Sequence, residues 1–334
     1  MSKPRGPHLV PPPASLDNAP KRVEGAPFDG DWVESLRVDR SAVERRIATL
    51  GGRRTVKKQW QAAWLLKAIT CMDLTTLSGE DTEERVRRLC AKARNPVRKD
   101  LLEAMGAVHL PIKVGAVCVY HEMIAPALDA LRGSDIPVAA VSTGFPAGLS
   151  PFNTRLAEIK ESVDAGAEEI DIVISRRHVL NGDWLALYEE VKAFREACGP
   201  AHLKAIIATG ELGNMPKIAK ASLVSMMAGA DFIKTSTGME ATNANLPVSL
   251  VMLRMIRAFH QQTGQRVGFK PAGGIAKAKE ALAYLVLVKE ELGNDWLDPR
   301  YFRFGASRLL GDIERQLEHF VTGRYSAANR HPIG

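Results

Sequence analysis

Two lysines stand where apolar, strand-like segments give way to loops of small residues. Lys234 ends DFIK in the run DFIKTSTG, and Lys270 ends VGFK in the run RVGFKPAGG. A charged ammonium group at the end of a buried strand is costly to desolvate, so its proton is easier to lose. The resulting neutral amine can attack a carbonyl carbon, which is the first step of Schiff-base catalysis. The alternative is that each lysine extends its charged group into solvent along its apolar stem.

A buried carboxylate accompanies the two lysines. Asp171 lies inside the apolar segment EIDIVI and needs a polar partner, because an unpaired buried carboxylate is costly. Lys270 is the predicted partner, and the pair could relay protons through a water molecule to an imine on Lys234. If Lys234 and Lys270 share one pocket, each positive charge lowers the pKa of the other. For Asp171, the alternative is a purely structural ion pair.

Apolar segments and helix-length stretches alternate along the chain. Eight such segments occur, at 68–72, 115–119, 138–142, 169–174, 203–208, 231–234, 267–270 and 302–305. One intervening stretch has helical apolar spacing, with Val248, Val251, Met252, Met255 and Phe259 on one face. This alternation predicts an α/β fold of the (β/α)8 TIM-barrel type. An open, doubly wound sheet is the alternative, but no GxGxxG motif follows the first segment to support it.

Composition divides the chain into four parts. Residues 1–30 contain seven prolines among polar and small residues, which is typical of a disordered tail. Helical segments are predicted at 38–50 and 55–67. The predicted organisation is a Pro-rich tail over 1–30, an N-terminal helical extension over 31–67, the barrel over 68–323 and a C-terminal tail over 324–334.

Composition and charge exclude several classes of protein. The chain has 334 residues, 46% hydrophobic and 25% charged, and contains no apolar run of the roughly 20 residues that span a bilayer. We therefore expect no membrane partner and a cytoplasmic location. The net charge of +7 suits an anionic substrate or nucleic acid. The basic clusters at 53–58 and 85–94 fit solvated helix faces better than a nucleic-acid groove, because no aromatic residues are interleaved with them.

The four cysteines are widely spaced and form no CxxC pair, so neither a zinc site nor a disulfide framework is predicted. Cys118 lies in the apolar segment GAVCVY, which favours a small buried side chain over a reactive thiol. In a barrel the active site lies at the carboxyl ends of the strands. Asp73 follows the first segment and is a candidate for this site. Lys204, in the fifth segment, could line the site or pack lower in the barrel.

Glycine-rich turns follow the last two segments. Gly273 and Gly274 come after the seventh, and Gly305 and Ser307 come after the eighth, each pair before a predicted helix. Exposed amides at helix N-termini bind phosphate, and the loops after strands seven and eight are the usual phosphate site of a (β/α)8 barrel. A tight turn is the alternative for each pair taken alone.

Six sequence motifs resemble those of a known protein family. They are MDLTTL at 72–77, EIDIVI at 169–174, LKAIIATGEL at 203–212, KTSTG at 234–238, KPAGG at 270–274 and FGAS at 304–307. In this order they resemble the deoxyribose-phosphate aldolases, and the likeness extends from about Arg53 to Gly323. The segment that begins RRTVKKQW looks most like the longer, animal-type members.

The resemblance implies a reaction and a set of catalytic residues. It implies reversible cleavage of 2-deoxy-D-ribose 5-phosphate into acetaldehyde and glyceraldehyde 3-phosphate, without a metal or an organic cofactor. Lys234 would form the Schiff base, and Asp171 and Lys270 would be the proton donor and acceptor pair. The expected substrate-binding residues are Asp73, Thr75, Thr237, Lys204 and Cys118. The family is often dimeric or larger, so a homodimer is expected.

The phosphate site departs from the family pattern. Gly238, Gly273, Gly274, Ser307 and Arg308 are the expected phosphate-binding residues. Many relatives have Arg where this chain has Ala276, and several have Lys where it has Met239. Arg308 stands where a small residue is common, and we hypothesise that it replaces those cations.

Two further functions stay open at this point. One is an aldolase of the same chemistry that takes a different, unphosphorylated aldehyde, which the three changes at the phosphate site would favour. The other is a barrel without catalytic activity that binds partners through its basic surface and Pro-rich tail. The presence of Lys234, Asp171 and Lys270 argues against the second.

Overall fold

Eight parallel strands close into a barrel in the computed structural model, which describes residues 22–327 and 330–331. The strands are β1 Met72–Thr75, β2 Ala116–Val119, β3 Val138–Ser142, β4 Glu169–Val173, β5 His202–Ile206, β6 Phe232–Lys234, β7 Gly268–Lys270 and β8 Phe304–Ala306. Neighbours in sequence pair with each other, and β8 pairs with β1. Two parallel bridges, Phe269 to Phe302 and Ala272 to Gly305, join β7 to the β8 segment. The predicted (β/α)8 barrel is confirmed.

At least one helix follows every strand and covers the outside of the barrel. The helices are α1 Gly30–Ser35, α2 Arg40–Ala48, α3 Leu50–Arg53, α4 Lys58–Thr70, α5 Glu83–Arg94, α6 Lys99–Ala104, α7 Ile124–Leu131, α8 Phe152–Asp164, α9 Arg176–Asn181, α10 Trp184–Ala197, α11 Met215–Met227, α12 Leu246–Thr263, α13 Ala278–Leu292 and α14 Leu309–Thr322. Side chains of Asn214 and Asn245 accept hydrogen bonds from the first turns of α11 and α12, and a proline follows within each first turn. No helix in the described part of the chain has the length and hydropathy needed to cross a membrane.

The first strand begins later than predicted. The apolar segment 68–72 was expected to be a strand, but α4 continues to Thr70 and β1 starts at Met72. Ala68 and Ile69 are fully buried as the last turn of α4 packs on the barrel. A short apolar run fits a buried helix end and a buried strand equally well, so periodicity cannot separate them.

The N-terminal segment, residues 22–29, packs against the barrel. The amide of Val23 donates to Asp231 Oδ1 over 2.8 Å, and the amide of Ala26 donates to the carbonyl of Met227 over 2.8 Å. Gln265 accepts from the amides of residues 24 and 25 through its side-chain oxygen. The disordered tail predicted over 1–30 therefore does not reach residue 30, and residues 1–21 lie outside the described part.

Beyond α14, the predicted C-terminal tail also makes a buried contact. His331 is buried, and its ring lies 2.7 Å from Glu318 and 3.4 Å from Glu314, both on α14. Of the residues predicted to form this tail, 324–327 and 330–331 are described.

Candidate active site

Both predicted catalytic lysines contact one carboxylate oxygen inside the barrel. Lys234 ends β6 and Lys270 ends β7, and the two residues are aligned as neighbours in the sheet. The Nζ atoms of Lys234 and Lys270 each lie 2.7 Å from Oδ2 of Asp171 on β4. All three residues are buried, at 3%, 0% and 0% exposure. Neither lysine extends into solvent, so the snorkelling alternative is wrong for both.

The two lysines differ in proton affinity. Burial lowers the pKa of Lys234, and the nearby Lys270 lowers it further against the attraction of Asp171. Burial also disfavours the charged form of Lys270, but Asp171 and Asp73 outweigh it and raise the pKa of Lys270. Asp73 Oδ2 lies 2.5 Å from Lys270 Nζ. The pKa of Lys234 is therefore lowered as expected, whereas the carboxylates around Lys270 make its net shift upward.

Lys204 belongs to the same group but lies lower in the barrel. Its partner in the sheet is Phe232, two residues before Lys234 on β6. Lys204 Nζ lies 3.0 Å from Oδ1 of Asp171 and 2.5 Å from Glu169. Lys204 thus holds the oxygen of Asp171 that the two catalytic candidates leave free, and the alternative of packing below the site is the one that the structure favours.

Sequence reasoning missed two charged residues beneath this group. Glu169 stands two residues before Asp171 on β4, so both side chains point to the same face of the sheet. Arg303 directly precedes β8, and its guanidinium lies 2.6 Å from Asp73 and 2.9 Å from Glu169. The two-residue spacing in EIDIVI was a signal that could have found Glu169. Arg303 stands between Phe302 and Phe304 in the predicted segment 302–305, and a charge within an apolar segment was the signal that could have found it.

These side chains form one buried ionic cluster. Its members are Asp73, Glu169, Asp171, Lys204, Lys234, Lys270 and Arg303, which are all at most 6% exposed and joined by ion pairs. Attraction within the cluster holds the pKa values of Asp171 and Glu169 below their ordinary range, although burial opposes this. The same balance raises the pKa values of Lys204 and Arg303.

An apolar wall adjoins Lys234. The Nζ atom of Lys234 lies 5.9 Å from the ring centre of Phe145. Cys118 on β2 packs in the same small apolar cluster as Phe145, and burial raises the pKa of its thiol. A neutral thiol in an apolar cluster agrees with the expectation of a small buried side chain. The wall contributes to the desolvation that lowers the pKa of Lys234.

Two threonines predicted to bind substrate lie at strand ends. Thr75 ends β1, and its hydroxyl donates to the carbonyl of Asp73 over 2.8 Å. Thr237, three residues beyond Lys234, is buried, and its amide and hydroxyl lie 2.8 and 3.0 Å from Oε1 of Glu240. Glu240 therefore fixes the KTSTG loop, a role that the sequence did not reveal.

The predicted phosphate-binding glycines lie together at the carboxyl end of the barrel. A Cβ atom placed on Gly238 would lie 3.9 Å from the Cα atom of Gly273, so the loops after β6 and β7 touch. Gly273 has φ +83°, and a Cβ there would clash with Asn243 at 2.6 Å, so this position requires glycine. Ser307 and Arg308 follow β8 and are exposed. We call these loops, with Gly238, Gly273, Gly274, Ser307 and Arg308, the rim.

Arg308 is the N-cap residue of α14, and none of the described residues forms an ion pair with it. Met239 presents an apolar side chain that is 55% exposed beside Gly238. The amides of Ala276 and Lys277 both donate to Glu280, each over 2.9 Å. The last two amides of the loop before α13 are thus occupied by the protein's own carboxylate. Arg308 is the cation among the predicted phosphate-binding residues.

The match to a known family spans most of this architecture. Residues 67–309, which include every member of the ionic cluster, match the DeoC/LacD family of aldolases. The chain belongs to this family. A curated deoxyribose-phosphate aldolase from Mus musculus is 58% identical over 311 residues, covering 92% of this chain and 98% of the relative. The enzyme from Homo sapiens is 56% identical over 311 residues, with the same coverage.

Solved structures share the fold of this DeoC/LacD family member. A chain from Toxoplasma gondii has a TM-score of 0.67 at 21% identity, and the match covers 80% of this chain and 98% of that one. A deoxyribose phosphate aldolase from Aeropyrum pernix, described as tetrameric, has a TM-score of 0.56 at 21% identity, with 84% and 99% covered. At this identity the likeness supports the barrel fold alone.

Proposed function

We propose that this chain is a class I aldolase that reversibly cleaves 2-deoxy-D-ribose 5-phosphate into acetaldehyde and D-glyceraldehyde 3-phosphate. The observation that carries the proposal is the pairing of Lys234, whose pKa is lowered, with Asp171 and the protonated Lys270. Identities of 55–58% to mammalian deoxyribose-phosphate aldolases support the same substrate.

Lys234 begins the reaction as a neutral amine. Its nitrogen attacks C1 of the open-chain sugar, and the carbinolamine that forms loses water to give a protonated imine. Lys270 supplies the proton that the departing hydroxyl requires, since its raised pKa keeps it charged at neutral pH. Asp171 holds both nitrogens on one oxygen and keeps the proton donor beside the forming imine.

Carbon–carbon cleavage then uses the imine as an electron acceptor. The C3 hydroxyl gives up its proton, the C2–C3 bond breaks, and its electron pair moves to C2 to form an enamine on Lys234. D-Glyceraldehyde 3-phosphate leaves. Protonation of the enamine at C2 and hydrolysis of the imine release acetaldehyde and restore the amine. Asp171 and Lys270 carry the proton to and from the C3 oxygen and C2, with a water as relay.

Residues at the strand ends and on the rim position the substrate. We assign Thr75 and Thr237 to the sugar hydroxyls or the relay water, and Asp73 to holding Lys270. Lys204 supports Asp171 from below, and Cys118 belongs to the apolar wall. The substrate phosphate would lie on the rim, at the amides near Gly238, Gly274 and Ser307, with Arg308 as the cation.

One observation favours a broader substrate range as a second candidate function. Met239 places an exposed apolar group at the rim, and Ala276 supplies no charge there. An aldehyde without a phosphate would lose little binding free energy at such a rim. The same catalytic residues would then serve phosphorylated and unphosphorylated substrates at similar rates.

Reductive trapping tests the proposed function. The protein is incubated with acetaldehyde and borohydride, and peptide mass spectrometry locates the two-carbon adduct. We expect one adduct, on Lys234, and saturable cleavage of 2-deoxyribose 5-phosphate by untreated protein. Labelling spread over exposed lysines, with none enriched at Lys234, would contradict the aldolase assignment. Assays with unphosphorylated deoxyribose distinguish the second candidate.

A homodimer is part of the proposal, as is a cytoplasmic location. The related protein from Aeropyrum pernix is described as tetrameric, so a chain of this fold can assemble with copies of itself. Light scattering on the purified protein measures the mass of the assembly directly. A mass equal to one chain at working concentrations would rule the dimer out.

A further inference from the structure

We propose that Arg303 and Glu169 are positioning residues that control, from beneath the site, whether Lys234 carries a proton. The inference deepens the proposed function and rests on it, because it concerns the same Schiff-base lysine. Neither residue contacts Lys234. Both act through the carboxylates and lysines that lie between them and the reacting amine.

The contacts of Arg303 make it part of the site's electrostatics rather than a surface charge. Arg303 is 6% exposed, and its guanidinium lies 2.6 Å from Asp73 Oδ1 and 2.9 and 3.4 Å from the two oxygens of Glu169. The Nε atom donates to the carbonyl of Pro299, which anchors the side chain. Buried charge pairs interact through a low effective dielectric, so a charge change here is felt further along the cluster.

Two chains of ion pairs connect this pair to Lys234. From Arg303 the first passes through Asp73, Lys270 and Asp171. From Glu169 the second passes through Lys204 and the same Asp171. The titratable groups that act on Lys234 directly are Asp171 on β4, Lys270 on β7 and Cys118 on β2. Behind them lie Asp73 on β1, Glu169 on β4, Lys204 on β5 and Arg303 before β8.

The charges of the cluster do not balance when every member is ionised. Four members are basic and three are acidic, so full ionisation leaves one excess positive charge in a buried place. Such a charge is costly, and the release of one proton removes it. Lys234 is the basic member with the fewest carboxylate partners, since it contacts Asp171 alone. Lys270 and Arg303 each contact two carboxylates, and Lys204 contacts three.

This balance gives Arg303 its function. With Arg303 present, the cluster becomes electrically neutral when Lys234 loses its proton. The neutral amine that results is the nucleophile. Without the charge of Arg303, three lysines would face three carboxylates, and Lys234 would keep its proton. Removal of the charge of Glu169 would have the opposite effect, because the excess positive charge would grow.

Two single variants and their combination test the inference. We expect Arg303→Gln to move the acid limb of the pH profile of kcat/KM to higher pH by about one unit, because Lys234 then holds its proton more tightly. Glu169→Gln should move the same limb to lower pH by about one unit. The double variant should return the limb to near its wild-type position. The pH dependence of borohydride trapping at Lys234 by acetaldehyde provides a second reading that does not depend on turnover.

A conservative variant separates charge from shape. Arg303→Lys keeps the positive charge with fewer hydrogen bonds, and its acid limb should stay at the wild-type pH even if stability falls. Circular dichroism monitors folding of each variant. If Arg303→Gln does not fold, the comparison of Glu169→Gln with the double variant still gives a shift in a defined direction.

Two results would overturn the inference. One is a set of profiles with the same midpoint in all folded variants, and the other is a shift of both single variants in the same direction. A purely structural role lowers rates without moving the limbs in opposite directions. If wild-type protein gives no adduct on Lys234, the proposed function fails. If wild-type protein is trapped there and the midpoints coincide, only the present inference fails.

Discussion

The ionic cluster and the rim are two charged regions of one barrel, built from different parts of the chain. Members of the cluster lie on strands or directly beside one, are at most 6% exposed, and contact each other at 2.5 to 3.5 Å. The rim is formed by loops, and its Arg308 is exposed without an ion pair to any described residue. The strands hold the side chains of the cluster in place, whereas the contacts of Arg308 on the rim depend on the ligand that binds there.

This difference separates the residues that carry out the reaction from those that select the substrate. Removal of a charged cluster member leaves a buried partner without its counter-charge, which costs about 3–5 kcal/mol. Lys234, which is neutral in the balanced cluster, is the exception. Substitutions of the exposed Ser307 and Arg308 on the rim leave no buried charge behind and cost little stability. We therefore expect loss of Lys234, Lys270 or Asp171 to abolish or greatly slow the reaction, and changes of Arg308 on the rim to alter which substrates are used.

The largest expected effect is the loss of the Schiff-base amine. Lys234→Leu should lower the turnover of 2-deoxyribose 5-phosphate by more than about 10³-fold, because no other described amine is both buried in the site and poorly protonated. The fold should persist, since the remaining cluster has three basic and three acidic members. Steady-state kinetics and circular dichroism check both statements.

Lys160→Leu is the matched control, because Lys160 is exposed on α8, away from the cluster. Its turnover and its trapping by borohydride should equal those of wild type. Turnover by Lys234→Leu above a hundredth of wild type would assign the nucleophile to another residue.

The second effect is the loss of the proton donor. Lys270→Leu should reduce kcat by at least about 10²-fold, the usual contribution of a positioned acid or base. Asp73 and Asp171 each lose a contact in this variant, so thermal unfolding must be measured alongside. A folded variant with near-normal kcat would restrict Lys270 to a structural role. The same test applies to Asp171→Asn.

A smaller, substrate-dependent effect is expected on the rim. Arg308→Ser should raise KM for deoxyribose 5-phosphate by about 10- to 100-fold, since a charge-assisted hydrogen bond contributes about 1.5–3 kcal/mol. Cleavage of unphosphorylated deoxyribose should be unchanged. Arg324→Ser, beyond the other end of α14, is the control and should alter neither substrate. Equal changes for both substrates would remove Arg308 from phosphate binding and favour the broader substrate range.

The smallest effect concerns stability alone. Deletion of residues 1–29 should lower Tm by about 5–10 °C, because the hydrogen bonds of the N-terminal segment to Asp231, Met227 and Gln265 are lost. Deletion of 1–21 alone should leave Tm unchanged, and differential scanning calorimetry compares the two. Equal Tm values for both truncations would mean that the N-terminal segment adds nothing to stability. In neither variant should kcat change.

The sequence alone could predict three members of the cluster, Lys234, Lys270 and Asp171. Lys234 and Lys270 each end a strand of apolar residues, and a (β/α)8 barrel brings all such ends together. Asp171 could be placed because an acid within an apolar strand must have a partner. These arguments need only strand order, which the alternation of segments supplies.

Other features depend on contacts between distant parts of the chain. Arg303 pairs with Glu169, which is 134 residues away, and no local sequence pattern predicts that this residue is its partner. The sign of the pKa shift at Lys270 depends on Asp73, whose distance from it only the closed barrel sets. Residues 22–29 were assigned to the disordered tail because Pro27 and the polar residues around it are typical of disorder. Their backbone amides donate to Asp231 and Gln265, which are more than 200 residues away in the sequence.

The N-terminal segment has a consequence for synthesis on the ribosome. Val23 is translated early, yet its acceptor Asp231 is made 208 residues later. At about 5–20 residues per second, the segment waits about 10–40 s for the partner that will hold it. During that time the amide of Val23 lacks its acceptor, and the amino-terminal face of the barrel is completed by residues that left the ribosome long before the strands they cover.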